Sequence, residues 1–200
     1  MELVIASRNT QKVREIKNIL KALAPKIVVL SLFDFPRFQP TETDGTSFEA
    51  NSNKKAQYAA KTLQKTCIAD DSGIIVPSLS KKGLTPFCSY HHGSDSATIQ
   101  TKKLLEEMQS LKDFERAAYL ECSLTVATPA GLTKTAKARC EGTIIEEERG
   151  KTNFAFDTIF MKYDYNQTLG ELSPSIRDRM SHRRKALECL LPYIEKFLAA

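Results

Sequence analysis

No stretch of this 200-residue chain stays apolar long enough to cross a bilayer as a helix. The opening Met1-Glu2-Leu3-Val4-Ile5-Ala6 lacks the basic segment and the longer apolar run of a signal peptide. It reads as a first strand, and the expectation is a cytoplasmic protein with no membrane partner. CxxC is absent. Five cysteines, Cys67, Cys88, Cys122, Cys140 and Cys189, are an odd number spread along the chain, which argues for buried free thiols and against a disulfide framework or zinc site. There is no internal repeat, no low-complexity linker and no nucleic-acid-binding motif. The net charge of +5 points to an anionic partner without separating a nucleotide from a nucleic acid, and it serves equally as a solvated surface.

What is present suits one domain, or two small lobes around a cleft: 42% hydrophobic residues are enough for a core, and 26% charged residues are ordinary. Glu2–Ala6 is followed by Val13, Ile16, Ile19, Leu20 and Leu23 on one helical face, with Asn9 as N-cap, and then by a strand over Lys26–Ser31. This strand–helix–strand opening predicts an α/β fold. A Pro-containing loop over Leu32–Gly45 leads to a helix over Ser47–Leu63, with Phe48, Tyr58, Ala59 and Leu63 inward. Cys67–Ala69 reads as a short strand running into Asp70-Asp71-Ser72-Gly73, Ile74–Val76 continues as strand, and Pro77–Gly93 reads as loop. Ala97–Leu111 is an amphipathic helix with Ile99, Leu104, Leu105 and Met108 inward. Alternation at Leu120, Cys122, Leu124 and Val126, a turn at Pro129–Gly131, and alternation at Ala136, Ala138 and Cys140 predict a hairpin with one buried face. Gly142–Phe160 is strand and loop, and a helix starts at Ser173-Pro174 and is kinked or ended by Pro192.

Four constellations carry chemistry. Ser7–Lys12 links a strand to a helix N-terminus, which is a natural phosphate seat. Arg8 stands where a glycine would let backbone approach, so taken alone the loop is an ordinary N-cap with a surface lysine. Asp70 and Asp71 could hold a hard cation and orient water, as phosphoanhydride hydrolysis requires, or could form an Asp turn. Glu42 could complete that carboxylate set, and Asn51 and Lys55, four apart, share one helix face that could point at phosphates or at solvent. Phe154 and Asp157 could stack on a base and accept its ring N–H groups, or mark a buried strand entry. His182 and Arg183 could donate to a purine 6-carbonyl, which would reject a 6-amino group, or belong to a basic helix face. His91 and His92 read as solvated.

Taken in order, these pieces resemble the Ham1/inosine triphosphate pyrophosphatase family. The matching runs are Ser7-x-Asn9-x-x-Lys12, Gly45-x-Ser47-Phe48, Asn51-x-x-x-Lys55-Ala56, Ala69-Asp70-Asp71-Ser72-Gly73, Phe154-x-x-Asp157-x-x-Phe160 and Ser181-His182-Arg183-x-x-Ala186-Leu187. They span nearly the whole chain. The resemblance implies a single two-lobed domain over residues 1–200, an elongated mixed β-sheet flanked by helices, a central cleft and a homodimer. It implies magnesium-dependent hydrolysis of ITP, dITP and XTP to monophosphate and pyrophosphate, which keeps these nucleotides out of DNA and RNA. Asp71 matches the position for metal binding or water activation, with Glu42 and Asp70 as further metal ligands. Asn9, Lys12 and Lys55 match phosphate-contacting positions, Ser7, Asn51 and Ser72 are expected to bind substrate with them, and Phe154, Asp157, His182 and Arg183 match base-recognising positions.

The chain departs from the family pattern at Arg8 (usually glycine), Ala50 (usually glutamate), His91 (an arginine), and Ala155, Phe156 and Thr158 within the usual Phe-Gly-Tyr-Asp-Pro. These departures bear on metal affinity and base selectivity more than on the reaction. Three other readings stay open: a Maf-like hydrolase of canonical or pyrimidine triphosphates, a nucleotide-binding module without turnover, and a basic nucleic-acid binder.

Overall fold

The computed structural model describes residues 1–43, 47–81, 97–151, 154 and 156–199. Gly45, Cys88, His91, His92 and Ala155 therefore lie outside the described residues. The elements are β1 (Glu2–Ile5), α1 (Thr10–Leu23), β2 (Val28–Ser31), α2 (Phe48–Leu63), β3 (Cys67–Ile75), α3 (Pro77–Lys81), α4 (Ala97–Glu107), β4 (Ala117–Ala127), β5 (Thr133–Ile144), β6 (Phe160–Lys162), α5 (Pro174–Met180) and α6 (His182–Ala199). The six strands form one mixed sheet in the order β2-β1-β3-β4-β5-β6. β1 runs parallel to β2 and β3, whereas β6 is antiparallel to β5. The α/β class expected from the opening segment is the one observed.

The chain divides into two compact units. The first comprises Met1–Asp71, Cys122–Ala138 and His182–Ala200; the second comprises Ser72–Glu121 and Arg139–Ser181. In the first unit, the order β2-β1-β3 has a consequence. The chain leaves β1 through α1 to reach β2 on one side, and returns through α2 to β3 on the other. The carboxyl ends of β1 and β3 thus flank the point where the winding reverses, which is where open α/β sheets bind ligands.

The two faces of this region are covered differently. One face packs Leu3, Ile5, Ile68, Cys122, Leu124 and Val126 against Val13, Ile16, Ile19 and Leu20 of α1 and against Ala186, Leu187, Leu190 and Ile194 of α6. Each fully buried leucine or isoleucine contributes about 1.5–3 kcal/mol. The other face packs Val4, Cys67, Ala69 and Ala127 against Ala56, Ala59 and Ala60 of α2, together with Leu32 and Phe38. Small residues on α2 let it approach the sheet closely. The second unit has its own core, which includes Ile74, Val76, Leu104, Met108, Ile144, Phe156, Ile159 and Phe160. Within it, β5 and β6 meet so tightly at Gly142 that a Cβ there would stand 2.4 Å from the Met161 carbonyl oxygen.

Several boundaries differ from expectation. Asp70–Gly73 is not a turn: β3 continues unbroken from Cys67 to Ile75, because side chains of other elements satisfy both acids and leave the backbone free to ladder. Residues 77–81 are helical and not loop. Ser123 and Thr125, expected on a solvated hairpin face, are fully buried beneath Ser52 of α2, whose hydroxyl lies 3.1 and 2.9 Å from theirs. Tyr58 is 41% exposed and Ile99 45% exposed, so neither belongs to the core. The C-terminal helix breaks at Ser181 into α5 and α6, and Pro192 lies inside α6 without ending it. Pro192 is exposed, so water can take the carbonyl its ring leaves unpaired. Cys67, Cys122 and Cys140 are buried free thiols as read, but Cys189 is exposed.

Candidate active site

The β1–α1 turn is built from its own side chains. Ser7 Oγ accepts from the Asn9 N–H at 3.1 Å. Asn9 Oδ1 then accepts from the N–H groups of Gln11 at 3.1 Å and Lys12 at 3.0 Å, the N-cap read from the sequence. With the α1 N-terminus seated there, Lys12 is carried to Asp70: Nζ lies 2.6 Å from Oδ2.

Asp70 and Asp71 are consecutive in a strand, so their side chains point to opposite faces of the sheet. Asp70 shares its face with Ile68 and meets α1 and α6. Besides Lys12, its Oδ1 lies 3.4 Å from Arg183 Nε. Arg183 in turn donates from Nη1 to Glu15 Oε2 at 2.9 Å. Asp71 shares the face of Ala69 and meets α2. Its Oδ2 accepts from Asn51 Nδ2 at 2.9 Å, and its Oδ1 lies 2.6 Å from Lys55 Nζ. The spacing of Asn51 and Lys55 on one helix face is therefore used on a single carboxylate.

Burial sharpens these pairs. Asp70 is 4% exposed and Arg183 6%. Burial alone would push the Asp70 carboxyl up, but the Arg183 guanidinium and the Lys12 ammonium outweigh it and hold it well below the usual range. Burial likewise acts to lower Arg183, and Asp70 and Glu15 overcome it and hold the guanidinium above its ordinary value. His182, first residue of α6, is pushed down to about 3, chiefly by burial and then by the Arg183 charge, with Glu15 and Asp70 pulling the other way. Its imidazole is neutral at neutral pH and offers one N–H donor and one acceptor.

Glu42 is exposed on the loop after β2. Among the described residues no group of three or more His, Cys, Asp and Glu could hold a metal ion. The expected gathering of Glu42, Asp70 and Asp71 is thus corrected, and strand alternation is the reason for the two aspartates. The donors at Asp71 do fit a hard divalent cation. Asn51 Oδ1 is a buried acceptor with no hydrogen-bond partner among the described residues, and its amide is held against the Asp71 carboxylate. A carboxylate and an amide oxygen side by side are hard-cation ligands, and magnesium completes its shell with waters and substrate phosphates in place of an all-protein cage.

The remaining predicted residues lie in the second unit. Ser72 is buried in β3. Asp157 is buried, with its Oδ2 3.5 Å from Arg177 Nη1 of α5. Phe154 is half-buried in the same loop. Phe156, between them, takes a left-handed φ of 74° and its N–H donates to Thr101 Oγ1 at 3.3 Å. A side chain held in that conformation marks a loop fixed by its surroundings.

Glu15 was missed in the sequence. Its signal was its place three residues after Lys12, one turn along the same helix face. Arg8 was noted only as a departure, yet its guanidinium donates from Nη2 to the carbonyls of Phe38 at 2.7 Å and Pro36 at 3.3 Å.

Lysines held on carboxylates beside a helix N-terminus, at the winding reversal of an α/β sheet, define a protein that handles a phosphorylated ligand. Comparison with known proteins narrows the class. The profile of the Ham1 family matches residues 3–193, and the chain belongs to that family. It is 41% identical over 98% of both chains to a dITP/XTP pyrophosphatase of Protochlamydia amoebophila. It is 42% identical to one of Chlamydia trachomatis, over 100% of this chain and 95% of that one. Among solved structures, the Staphylococcus aureus Ham1 protein superposes with a TM-score of 0.80 at 32% identity, covering 98% of this chain and 99% of that one.

Proposed function

We propose that this protein hydrolyses non-canonical purine nucleoside triphosphates (dITP, ITP and XTP) to the monophosphate and pyrophosphate, so that they do not enter DNA or RNA. It is an enzyme of the activity that its relatives' names carry, dITP/XTP pyrophosphatase. The observation that supports this best is the paired arrangement at the sheet's switch point: Lys12 on Asp70 and Lys55 on Asp71. Each lysine is pre-positioned by a carboxylate, and each can exchange that partner for a phosphate oxygen without a large movement of backbone.

On this reading water cleaves the α–β phosphoanhydride. Asp71 orients the water and takes its proton. Lys12, Lys55 and the α1 N-terminus, with Ser7, Asn9, Asn51 and Ser72, hold the triphosphate and the leaving pyrophosphate. When held by Asp71 with Asn51 Oδ1, magnesium would neutralise phosphate charge and activate water. Asp70 works from the opposite face, aligning Lys12 and balancing Arg183. The base is read by Phe154, which stacks on it, by Asp157, which accepts a ring N–H, and by the N–H donors of His182 and Arg183. Donors at the 6-position favour a keto base, since an amino group would leave them unpaired. The reading includes a single two-lobed domain acting as a homodimer in the cytoplasm, with no nucleic-acid or membrane partner. Among the described residues no helix is long and apolar enough to cross a membrane.

The test is pyrophosphate release from ITP, XTP, dITP, ATP, GTP and dTTP, with magnesium and with chelator. Magnesium-dependent release from ITP, dITP and XTP, with little from ATP, is expected. Release mainly from canonical or pyrimidine nucleotides would discard the base-site assignment, and no release would leave a binding module without turnover.

A further inference from the structure

Asp70 and Asp71 sit on opposite faces of β3, so the two lysines that they hold arrive from helices on opposite sides of the sheet. The strand fixes the carboxylates. It does not fix α1 relative to α2, and a triphosphate held by both lysines needs their spacing set within a fraction of an ångström.

Among the described residues, Arg8 spans that gap. Arg8 lies in the turn that leads into α1, between Ser7 and Asn9. Its Nη2 donates to the carbonyl oxygens of Phe38 at 2.7 Å and Pro36 at 3.3 Å, in the loop that leads toward α2. Phe38 is itself anchored. Its ring is buried in the cluster that holds Ala56, Ala59 and Ala60 of α2, and it stands 5.7 Å from the Tyr58 ring, tilted by 57°. The covalent and bonded path therefore runs from Lys12 through the turn to Arg8, across to Phe38, and onto the helix that carries Asn51 and Lys55.

We infer that Arg8 is a positioning residue for the hydrolysis: a strap that sets the α1 turn against the α2 face, and so sets the distance between Lys12 and Lys55. This gives a physical role to a residue that departs from the family's usual glycine. Glycine in the turn provides backbone approach; arginine provides a fixed link. The strap rests on the reading that Lys12 and Lys55 hold the triphosphate.

Steady-state kinetics on ITP test it, with inhibition by inorganic pyrophosphate as a probe of the phosphate seat. Arg8→Ala is expected to lower kcat/KM about tenfold and to weaken pyrophosphate inhibition similarly, the scale of losing a hydrogen bond from a charged donor. Because Arg8 is exposed, the melting temperature is expected to hold, and the ITP/ATP ratio too, since the base site is untouched. Arg8→Lys, which keeps a charged donor, should recover most of the loss. Phe38→Leu, which keeps the core filled, should also lower kcat/KM, and combining it with Arg8→Ala should add little, because both act on one link. Fully additive effects would overturn the strap in favour of a separate contact of Arg8 with substrate. Parental kinetics in Arg8→Ala, while Lys12→Ala and Lys55→Ala lose activity, would overturn the strap alone. Parental kinetics in the two lysine variants as well would bring down the site reading together with the strap.

Discussion

The first unit buries Arg183 against two carboxylates, whereas the second buries Arg116 against four backbone carbonyls. Arg183 meets Asp70 and Glu15. Arg116 donates to the carbonyl oxygens of Ile144, Met108, Leu111 and Ile145 at 2.7 to 3.3 Å. The consequence shows in their proton affinities, which move in opposite directions. Arg183 is held above the ordinary guanidinium range by its acids. Arg116 is held below it by burial, which Glu146 only partly offsets. Carbonyls of a ladder and a helix end cannot leave, so Arg116 is a rivet. Carboxylates on side chains can pass a cation to an incoming phosphate, so the network around Arg183 and Lys12 can be recruited by a ligand. A buried charge alone does not mark a functional site; the kind of partner that holds it, side-chain carboxylate or backbone carbonyl, separates the two cases.

The largest test removes the acid that faces α2. Asp71→Asn is expected to lower kcat for ITP by about 10²- to 10⁴-fold, the range of a lost general base, while the melt stays near that of the parent. Near-normal turnover in a folded variant would take Asp71 out of catalysis. The next separates the two buried arginines. Asp70→Asn leaves Lys12 without its acid and Arg183 with Glu15 alone, and should cost about 3 kcal/mol in urea unfolding, with turnover also impaired. Arg116→Met leaves four carbonyls short of a donor and should cost about 3 kcal/mol, with activity per folded molecule unchanged. Equal activity losses in the two variants would erase the distinction between rivet and network.

The smallest effect is one of pH. His182 is held neutral in the folded protein down to about 3, whereas in the unfolded chain it takes a proton below about 6.5. The unfolded state therefore binds more protons in that window, and this contribution, complete above pH 6.5, is lost as pH falls toward 3. Asp70, with its lowered proton affinity, adds to the loss only below the ordinary carboxylate range. Melting temperatures measured from pH 7 to 4.5 should fall for the parent and fall less for His182→Gln. Parallel curves would show that His182 is not held neutral by the fold.

Much of the first unit was legible along the chain. The face of α1 shows as 3.6-residue periodicity, and Asn9 shows as an N-cap by residue type. Asn51 and Lys55 were legible as a helical pair because four residues is one turn. The second unit was less so. The buried position of Asp157 with Arg177 and the left-handed Phe156 leave no periodic trace, since loops have no repeat against which to read a side chain. Ser123 and Thr125 were misplaced because polarity reports solvent only when no second layer brings its own hydroxyl to meet them.

The sequence alone determined which residues can bear charge, which segments can wind or extend, and, through the ordered motifs, the family to which the chain belongs. It could not determine that Asp70 and Asp71 would serve opposite faces. Two adjacent acids lie together in a turn and apart in a strand, and the choice depended on whether lysines and an amide from distant helices arrived to satisfy them. Nor could it show that Arg8 would reach across to Phe38, thirty residues away. Local pattern reports on neighbours along the chain, but partners on other elements are decided only when the tertiary fold brings their helices against the sheet.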